Sequence, residues 1–293
     1  MMHKSKKIIM AIFLIALLTT ILIGVFSVFY VLVPYNDRRI TPISEDAKIS
    51  INSFDGFELL AEKITYCEES HNWVILVHSY RTDHTVMYPY AEEYLDKGYN
   101  VLLPDNRAHG NSEGLFIGMG YLDQFDLADW VDYIISLDAD ANIIIHGLSM
   151  GAATAMMYSG GEDIPINVKA IIEDCGYTSA FDYLSWKLKQ RFNLPDVPII
   201  SIANISFKIA AGYFMNQASA IDAVKQSEIP ILFIHGTEDT TVPVENVYSL
   251  YNAAENCEKD LYIVEGAKHG ESLNVSPLDY WSHVFDFVNR YLN

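Results

Sequence analysis

Six short, nearly continuous apolar runs punctuate the chain: Trp73 to Val77, Tyr99 to Leu103, Ile143 to Ile145, Val168 to Ile172, Ile229 to Ile234 and Leu261 to Val264. Runs this short, without polar alternation, suit strands buried on both faces. Stretches of helical periodicity separate them. Tyr121, Leu122, Phe125, Ala128, Val131, Ile134 and Ile135 recur at three and four, a spacing that leaves Asp123, Asp126, Asp129 and Asp132 toward solvent. Val244, Val247, Tyr248, Tyr251 and Ala254 make a second such face, opened by Pro243. Trp281, Val284, Phe285, Val288 and Tyr291 make a third. Strand and helix in alternation mean a parallel sheet covered on both sides. Upstream, Lys48 to Asn52 and Glu58 to Tyr66 read as an antiparallel pair joined at Phe54-Asp55-Gly56. The expected fold class is therefore α/β, with a mostly parallel eight-stranded sheet and helices on both faces.

Between about Ser179 and Val224 the alternation stops. Apolar and aromatic residues stand there among few charges, which predicts two or three short helices inserted after a strand. Such an insertion leaves from the carboxyl edge of the sheet, where open α/β folds bind ligands, so it is a candidate cap or lid.

The amino-terminal segment has a different physics. Ile8 to Val33 carries no charged residue, and as a helix it would be about 39 Å long, enough to cross a bilayer with some tilt. Lys4, Lys6 and Lys7 precede it, so the positive-inside rule puts the amino terminus in the cytoplasm and the remainder outside. A cleaved signal peptide, the alternative with a secreted product, has a shorter apolar core of about 7 to 15 residues and a small-x-small site. The expected organisation is a basic tail at 1–7, a transmembrane signal-anchor at 8–33, a linker at 34–46 and one domain at 47–293.

All 38 acidic residues follow the apolar run, as do all but three of the 19 basic ones, which leaves the rest of the chain at a formal charge near -22. Such a surface argues against nucleic-acid partners. Cys67, Cys175 and Cys257 stand far apart with no C-x-x-C, so a cysteine metal site or disulfide scaffold is not expected.

The residues that carry chemistry lie at strand ends. Gly147-Leu148-Ser149-Met150-Gly151 joins an apolar run to the helix-forming Ala152-Ala153-Thr154-Ala155. A serine on such a sharp strand-to-helix turn needs glycine on both sides, because a Cβ there would strike neighbouring backbone. The turn lifts the Ser149 hydroxyl above the sheet, and the Met150 N-H at the helix start points where negative charge would develop. A serine hydroxyl is a poor nucleophile near neutral pH and needs a histidine base held by an acid. Asp239 follows the strand ending at Ile234, and His269 follows the strand ending at Val264. Two rival acids are Glu238, adjacent but pointing elsewhere on the turn, and Asp174, at the end of another run; His78, His146 and His235 read as strand-end structural histidines.

The order Ser149, Asp239, His269 resembles the α/β-hydrolase superfamily, in its peptidase-like and esterase-like branch with a small helical cap. The matching motifs are His78-Ser79-Tyr80, Asp105-Asn106-Arg107-Ala108-His109-Gly110-Asn111-Ser112, the Ser149 elbow, His235-Gly236-x-x-Asp239 and Gly266-x-x-His269-Gly270. The resemblance implies an α/β-hydrolase fold, a Ser149, Asp239, His269 triad, and an oxyanion hole from the N-H groups of Met150 and Tyr80. Ser79 stands where glycine is commoner in the family. No metal or organic cofactor is implied. The expected activity is that of a serine hydrolase, a carboxylesterase acting on small or medium acyl esters. A short-peptide peptidase and an inactive membrane-tethered binding module are the alternatives.

Overall fold

In a computed structural model that describes residues 2–35, 41–192 and 197–292, eight strands form one sheet in the order β1-β2-β4-β3-β5-β6-β7-β8. They are β1 (Lys48–Asn52), β2 (Glu58–Ile64), β3 (Asn72–Val77), β4 (Asn100–Pro104), β5 (Asn142–Leu148), β6 (Val168–Asp174), β7 (Ile231–Gly236) and β8 (Lys259–Val264). β2 pairs antiparallel with β1 and with β4; every pairing from β4 through β8 is parallel. The helices are α1 (Met2–Leu32), α2 (Tyr88–Asp96), α3 (Asp123–Leu137), α4 (Met150–Ser159), α5 (Ala180–Phe192), α6 (Ile199–Ala211), α7 (Ala220–Val224), α8 (Glu245–Ala253), α9 (Ser272–Val275) and α10 (Pro277–Val288).

The strands are apolar throughout because each face feeds its own core. Along β3, Trp73, Ile75 and Val77 enter one apolar cluster while Val74 and Leu76 enter the other. β5 divides the same way, with Ile143 and Ile145 on one side and Ile144 on the other. This is the period-two alternation of a strand with no solvent face. Helices α5, α6 and α7 occupy the stretch between β6 and β7 where the strand pattern lapses.

The expectation that Asp123 and Asp126 face water is wrong. Both are buried, in the first turn of α3. Arg107, itself 2% exposed, holds both Asp126 oxygens at 2.6 Å and reaches Asp55 at 3.0 and 3.1 Å. Asp123 accepts the Gly120 N-H at 2.7 Å. A bidentate guanidinium and a loop N-H supply what water would have supplied, so the helix can turn these carboxylates inward. Arg107→Ala strands the buried Asp126 charge and is expected to destabilise the fold by about 3 to 5 kcal/mol, read by urea denaturation.

α1 is long and apolar enough to cross a membrane over Lys6–Leu32. From Lys6 to Ile12 it is exposed, whereas Gly24, Val28 and Leu32, spaced by four, are buried. That stripe packs against α6: a Cβ on Gly24 would lie 2.7 Å from Ile202. A helix end leaves carbonyls without intrahelical partners. Here Arg81 donates to Tyr30 O at 2.5 Å, the Tyr80 hydroxyl to Val31 O at 3.0 Å, and the Ile117 N-H to Leu32 O at 3.0 Å. Of the expected linker, residues 36–40 lie outside the described residues. On either side of them the Tyr35 N-H donates to Ala108 O at 2.7 Å and Ile43 is buried.

Candidate active site

The elbow at the end of β5 is built by close backbone approach. A Cβ on Gly151 would sit 2.0 Å from Val77 O, and one on Gly147 would sit 2.3 Å from Gly151 O. Ser149 itself has φ 55° and ψ -107°, a conformation that costs about 1 to 3 kcal/mol for a residue with a Cβ. Its N-H donates to Asp174 O at 2.8 Å, and its C=O accepts from Ala153 at 3.0 Å as α4 begins. The strain is thus held by hydrogen bonds on both sides of the serine. Met150 opens α4, so its N-H is among those that a helix start leaves without an intrahelical acceptor.

Two neighbouring loops deliver the other groups. Gly236 lets the loop after β7 lie against the loop after β8, since a Cβ there would be 2.2 Å from Ala267 O. The Glu238 N-H donates to Ala267 O at 2.9 Å, and the Gly266 N-H donates to Thr237 Oγ1 at 2.9 Å. So braced, Asp239 faces His269. His269 Nδ1 lies 2.6 Å from Asp239 Oδ2, and His269 Nε2 lies 2.8 Å from Ser149 Oγ.

Asp239 is solvated by protein groups. Its Oδ1 accepts the N-H groups of Thr241 and Val242 at 2.7 and 2.9 Å. Burial alone would raise this carboxyl, but hydrogen bonds from His235 and His269 outweigh it and hold it well below the ordinary carboxylate range. With Asp239 ionised, His269 carries its proton on Nδ1 and leaves the Nε2 lone pair toward Ser149.

One rival acid is engaged elsewhere. Asp174 is buried, with Tyr280 donating at 3.0 Å and Ser272 at 3.3 Å, and burial pushes its carboxyl up to about 6. His78 accepts the Asn106 N-H at Nε2 and meets Ser79 O through Nδ1, a loop-fixing role. His146 lies between the hydroxyls of Tyr94 and Tyr280, and burial lowers it to about 3. His235 has a part that motif reading did not assign. Its Nε2 donates to Val242 O at 2.9 Å and lies 3.3 Å from Asp239 Oδ2, so it supports the acid from behind. The four-residue spacing from His235 to Asp239 was the available signal.

Ser79 and Tyr80 follow β3 on the other side of the serine. Ser79, Val86, Pro89, Tyr90, Leu148, Leu273 and Asn274 line, with Ser149 and His269, a cavity of about 270 Å³. The Tyr80 ring turns away toward α1, where its hydroxyl meets Val31 O. Buried His84 and Asp105, paired at 2.9 Å, brace the loops behind; Asp105 also accepts the Asn111 N-H at 2.7 Å. Asp105 opens one of the family motifs, but nothing around His84 in sequence marked it as its partner.

Among the described residues, one cluster could bring three metal-ligating atoms together. Cys175, Asp239 and His269 offer atoms within 4.8 Å of one another. The latter two are already committed to each other and to Ser149. Cys67, Cys175 and Cys257 are free thiols.

Comparison with known proteins agrees with this architecture. A family model described as the α/β hydrolase fold matches residues 72–198, and one described as serine aminopeptidase matches residues 177–273. An esterase of Pyrococcus furiosus superposes with a TM-score of 0.70 at 23% identity, over 89% of this chain and 98% of that one. The acylaminoacyl peptidase of Pyrococcus horikoshii superposes with a TM-score of 0.63 at 21% identity, over 84% of this chain and 41% of that one. At these identities the likeness is one of fold. In sequence, the uncharacterized protein YfhR of Escherichia coli is 23% identical over 226 residues, covering 75% of this chain and 71% of that one. The uncharacterized protein YqkD of Bacillus subtilis is 30% identical over 223 residues, covering 76% of this chain and 72% of that one. With the eight-stranded sheet, the matching family models and this extent of shared sequence, the chain belongs to the α/β-hydrolase family.

Proposed function

We propose that this protein is a membrane-anchored serine hydrolase that cleaves small or medium carboxylic esters. The observation that carries the reading is the continuous line of hydrogen bonds from Ser149 Oγ through His269 to Asp239, at 2.8 and 2.6 Å. Ser149 Oγ attacks the ester carbonyl carbon while its proton passes to His269 Nε2. The Met150 N-H, with that of Tyr80, receives the developing oxyanion. As the C-O bond breaks, the alcohol leaves with the proton from His269. Water then loses a proton to His269 Nε2 as its oxygen bonds to the acyl carbon; the bond from that carbon to Ser149 Oγ breaks, Oγ takes the proton back from His269, and the carboxylic acid leaves. Asp239 stays ionised throughout and fixes the imidazole.

Esters are favoured by the cavity at Ser149, which is lined by Val86, Pro89, Tyr90, Leu148 and Leu273 and has room for a short acyl chain. A second reading, cleavage of short peptides with a free amino group, draws on another cavity of about 240 Å³. Asp182 and Glu245 line it beside Tyr183 and Trp186. Asp182 is already bound by Ser179 at 2.7 Å, which weakens its claim on a substrate amine. A panel of p-nitrophenyl esters run against aminoacyl-amides is the test. Ester turnover with little amide turnover is the expected result; the reverse selects the peptidase.

In the same reading α1 is an uncleaved anchor, with Lys4, Lys6 and Lys7 in the cytoplasm and the hydrolase outside. Its support is the packing of Gly24, Val28 and Leu32 into the domain, since cleavage past residue 33 would uncover that apolar surface.

A further inference from the structure

From the way α1, α6 and the Ser79-Tyr80-Arg81 loop are joined, we infer that α6 lies in the membrane surface and that the substrate is an acyl ester resident in the bilayer. This rests on the serine-hydrolase reading of Ser149 and on α1 as an anchor. Three independent observations carry it.

The first is that the end of the anchor is itself fastened to the loop beside the site. Ahead of the buried stripe that starts at Gly24, Lys6 to Ile23 spans about 27 Å at 1.5 Å per residue, close to the hydrocarbon thickness. From Gly24 onward the helix is packed on α6. Its last carbonyls are then held by Tyr80 and Arg81, whose guanidinium also lies 4.6 Å from the Tyr30 ring. Tyr80 is the residue whose N-H is assigned to the oxyanion. The loop beside Ser149 is therefore fastened to the point where α1 leaves the bilayer, and the site is held at the membrane surface.

The second is the surface of α6. α6 packs on the stretch from Gly24 to Leu32, which follows the part of α1 long enough to span the hydrocarbon, so α6 is at headgroup depth. On α6, Ile205 is 58% and Ile209 81% exposed, while Phe207 and Ala203 face inward. On the partnering end of α1, Phe26 is 72% and Phe29 59% exposed. Ile205 and Ile209 are one turn apart on α6, beside the exposed Phe26 and Phe29 end of α1, and an interfacial helix buries such residues among acyl chains.

The third is charge. Residues 197–217 contain one charged side chain, Lys208, in a chain whose part beyond the anchor is near -22. The acidic surface that would repel anionic headgroups is missing where the anchor brings the protein against them. An ester dissolved in the bilayer meets the cap without first partitioning into water.

The test uses the full chain reconstituted in phosphatidylcholine vesicles, with two esters: p-nitrophenyl acetate in the water and monolauroylglycerol in the bilayer. Wild type is expected to hydrolyse both. An Ile205→Asp, Ile209→Asp double variant is expected to keep the acetate rate within about twofold and to lose the glyceride rate by about 10-fold or more. The retained acetate rate shows that the variant is folded. Ile166→Asp, at a residue that is 87% exposed in the loop before β6, is expected to change neither rate. The inference is overturned if wild type cleaves the acetate and leaves the glyceride. It is equally overturned if the double variant keeps the glyceride rate, or loses it no more than Ile166→Asp does. Failure of wild type on both esters instead strikes the hydrolase reading beneath it.

Discussion

Ser149→Ala is expected to lower kcat toward the preferred ester by about 10⁶-fold while leaving the fold intact. The two halves of that expectation come from different atoms. Removal of Oγ takes away the atom to which the acyl group bonds, and neither His269 nor Asp239 can replace it. What remains is binding and oxyanion stabilisation, which leave a residual acceleration of about 10³ to 10⁴ over water. The main-chain hydrogen bonds of residue 149, to Asp174 O and from Ala153, do not involve the side chain. Alanine retains the Cβ and so the same positive-φ conformation, and the melting temperature should stay within a few degrees. A loss of activity accompanied by a collapse of the melting temperature would point to a structural role for Ser149.

Asp239→Asn should cost about 10⁴-fold in kcat, also without unfolding the protein, because the amide keeps the shape and loses the charge. Its Oδ1 can still accept from Thr241 and Val242. Its Nδ2 donates where Oδ2 accepted, and His269 is turned into the tautomer with its proton on Nε2. That proton faces Ser149 and blocks the transfer. The same substitution changes acid stability, with a definite sign. The folded Asp239 carboxyl titrates below its unfolded value of about 3.9. Its share of stability is therefore present above that pH and lost as the pH falls through the lower folded value. Wild type should lose stability more steeply than the asparagine variant below pH 4, measured by thermal melts from pH 7 down to 3. Equal kcat values for the two proteins would remove Asp239 from the mechanism.

The sheet was legible in sequence because its strands are buried on both faces, so each reads as a short unbroken apolar run. The elbow and the two loops after β7 and β8 were legible because close backbone approach there admits only glycine at positions 147, 151 and 236. Periodicity failed at α3 for a physical reason. It scores Asp123 and Asp126 as polar and so as outward, and it cannot see Arg107, which lies sixteen and nineteen positions earlier and makes burial tolerable. Long-range pairing of that kind has no local signature. The support of Asp239 by His235 was hidden likewise, since a histidine at a strand end looks the same whether it braces a turn or an acid; His84, in a short helical turn ahead of α2, stands in no motif that would announce its pairing with Asp105. The docking of α1 on α6 was the least accessible. A 26-residue run without charge says that a helix prefers lipid, but not that its last turns, through Gly24, Val28 and Leu32, prefer the protein.

The central claim, that Ser149 is an activated nucleophile in this fold, is met most directly by labelling the full-length protein with a fluorophosphonate and mapping the modified residue by mass spectrometry. The account predicts one covalent adduct on Ser149, formed in wild type and abolished in Ser149→Ala. Folded wild-type protein that stays unlabelled, or an adduct that persists in Ser149→Ala, would contradict it.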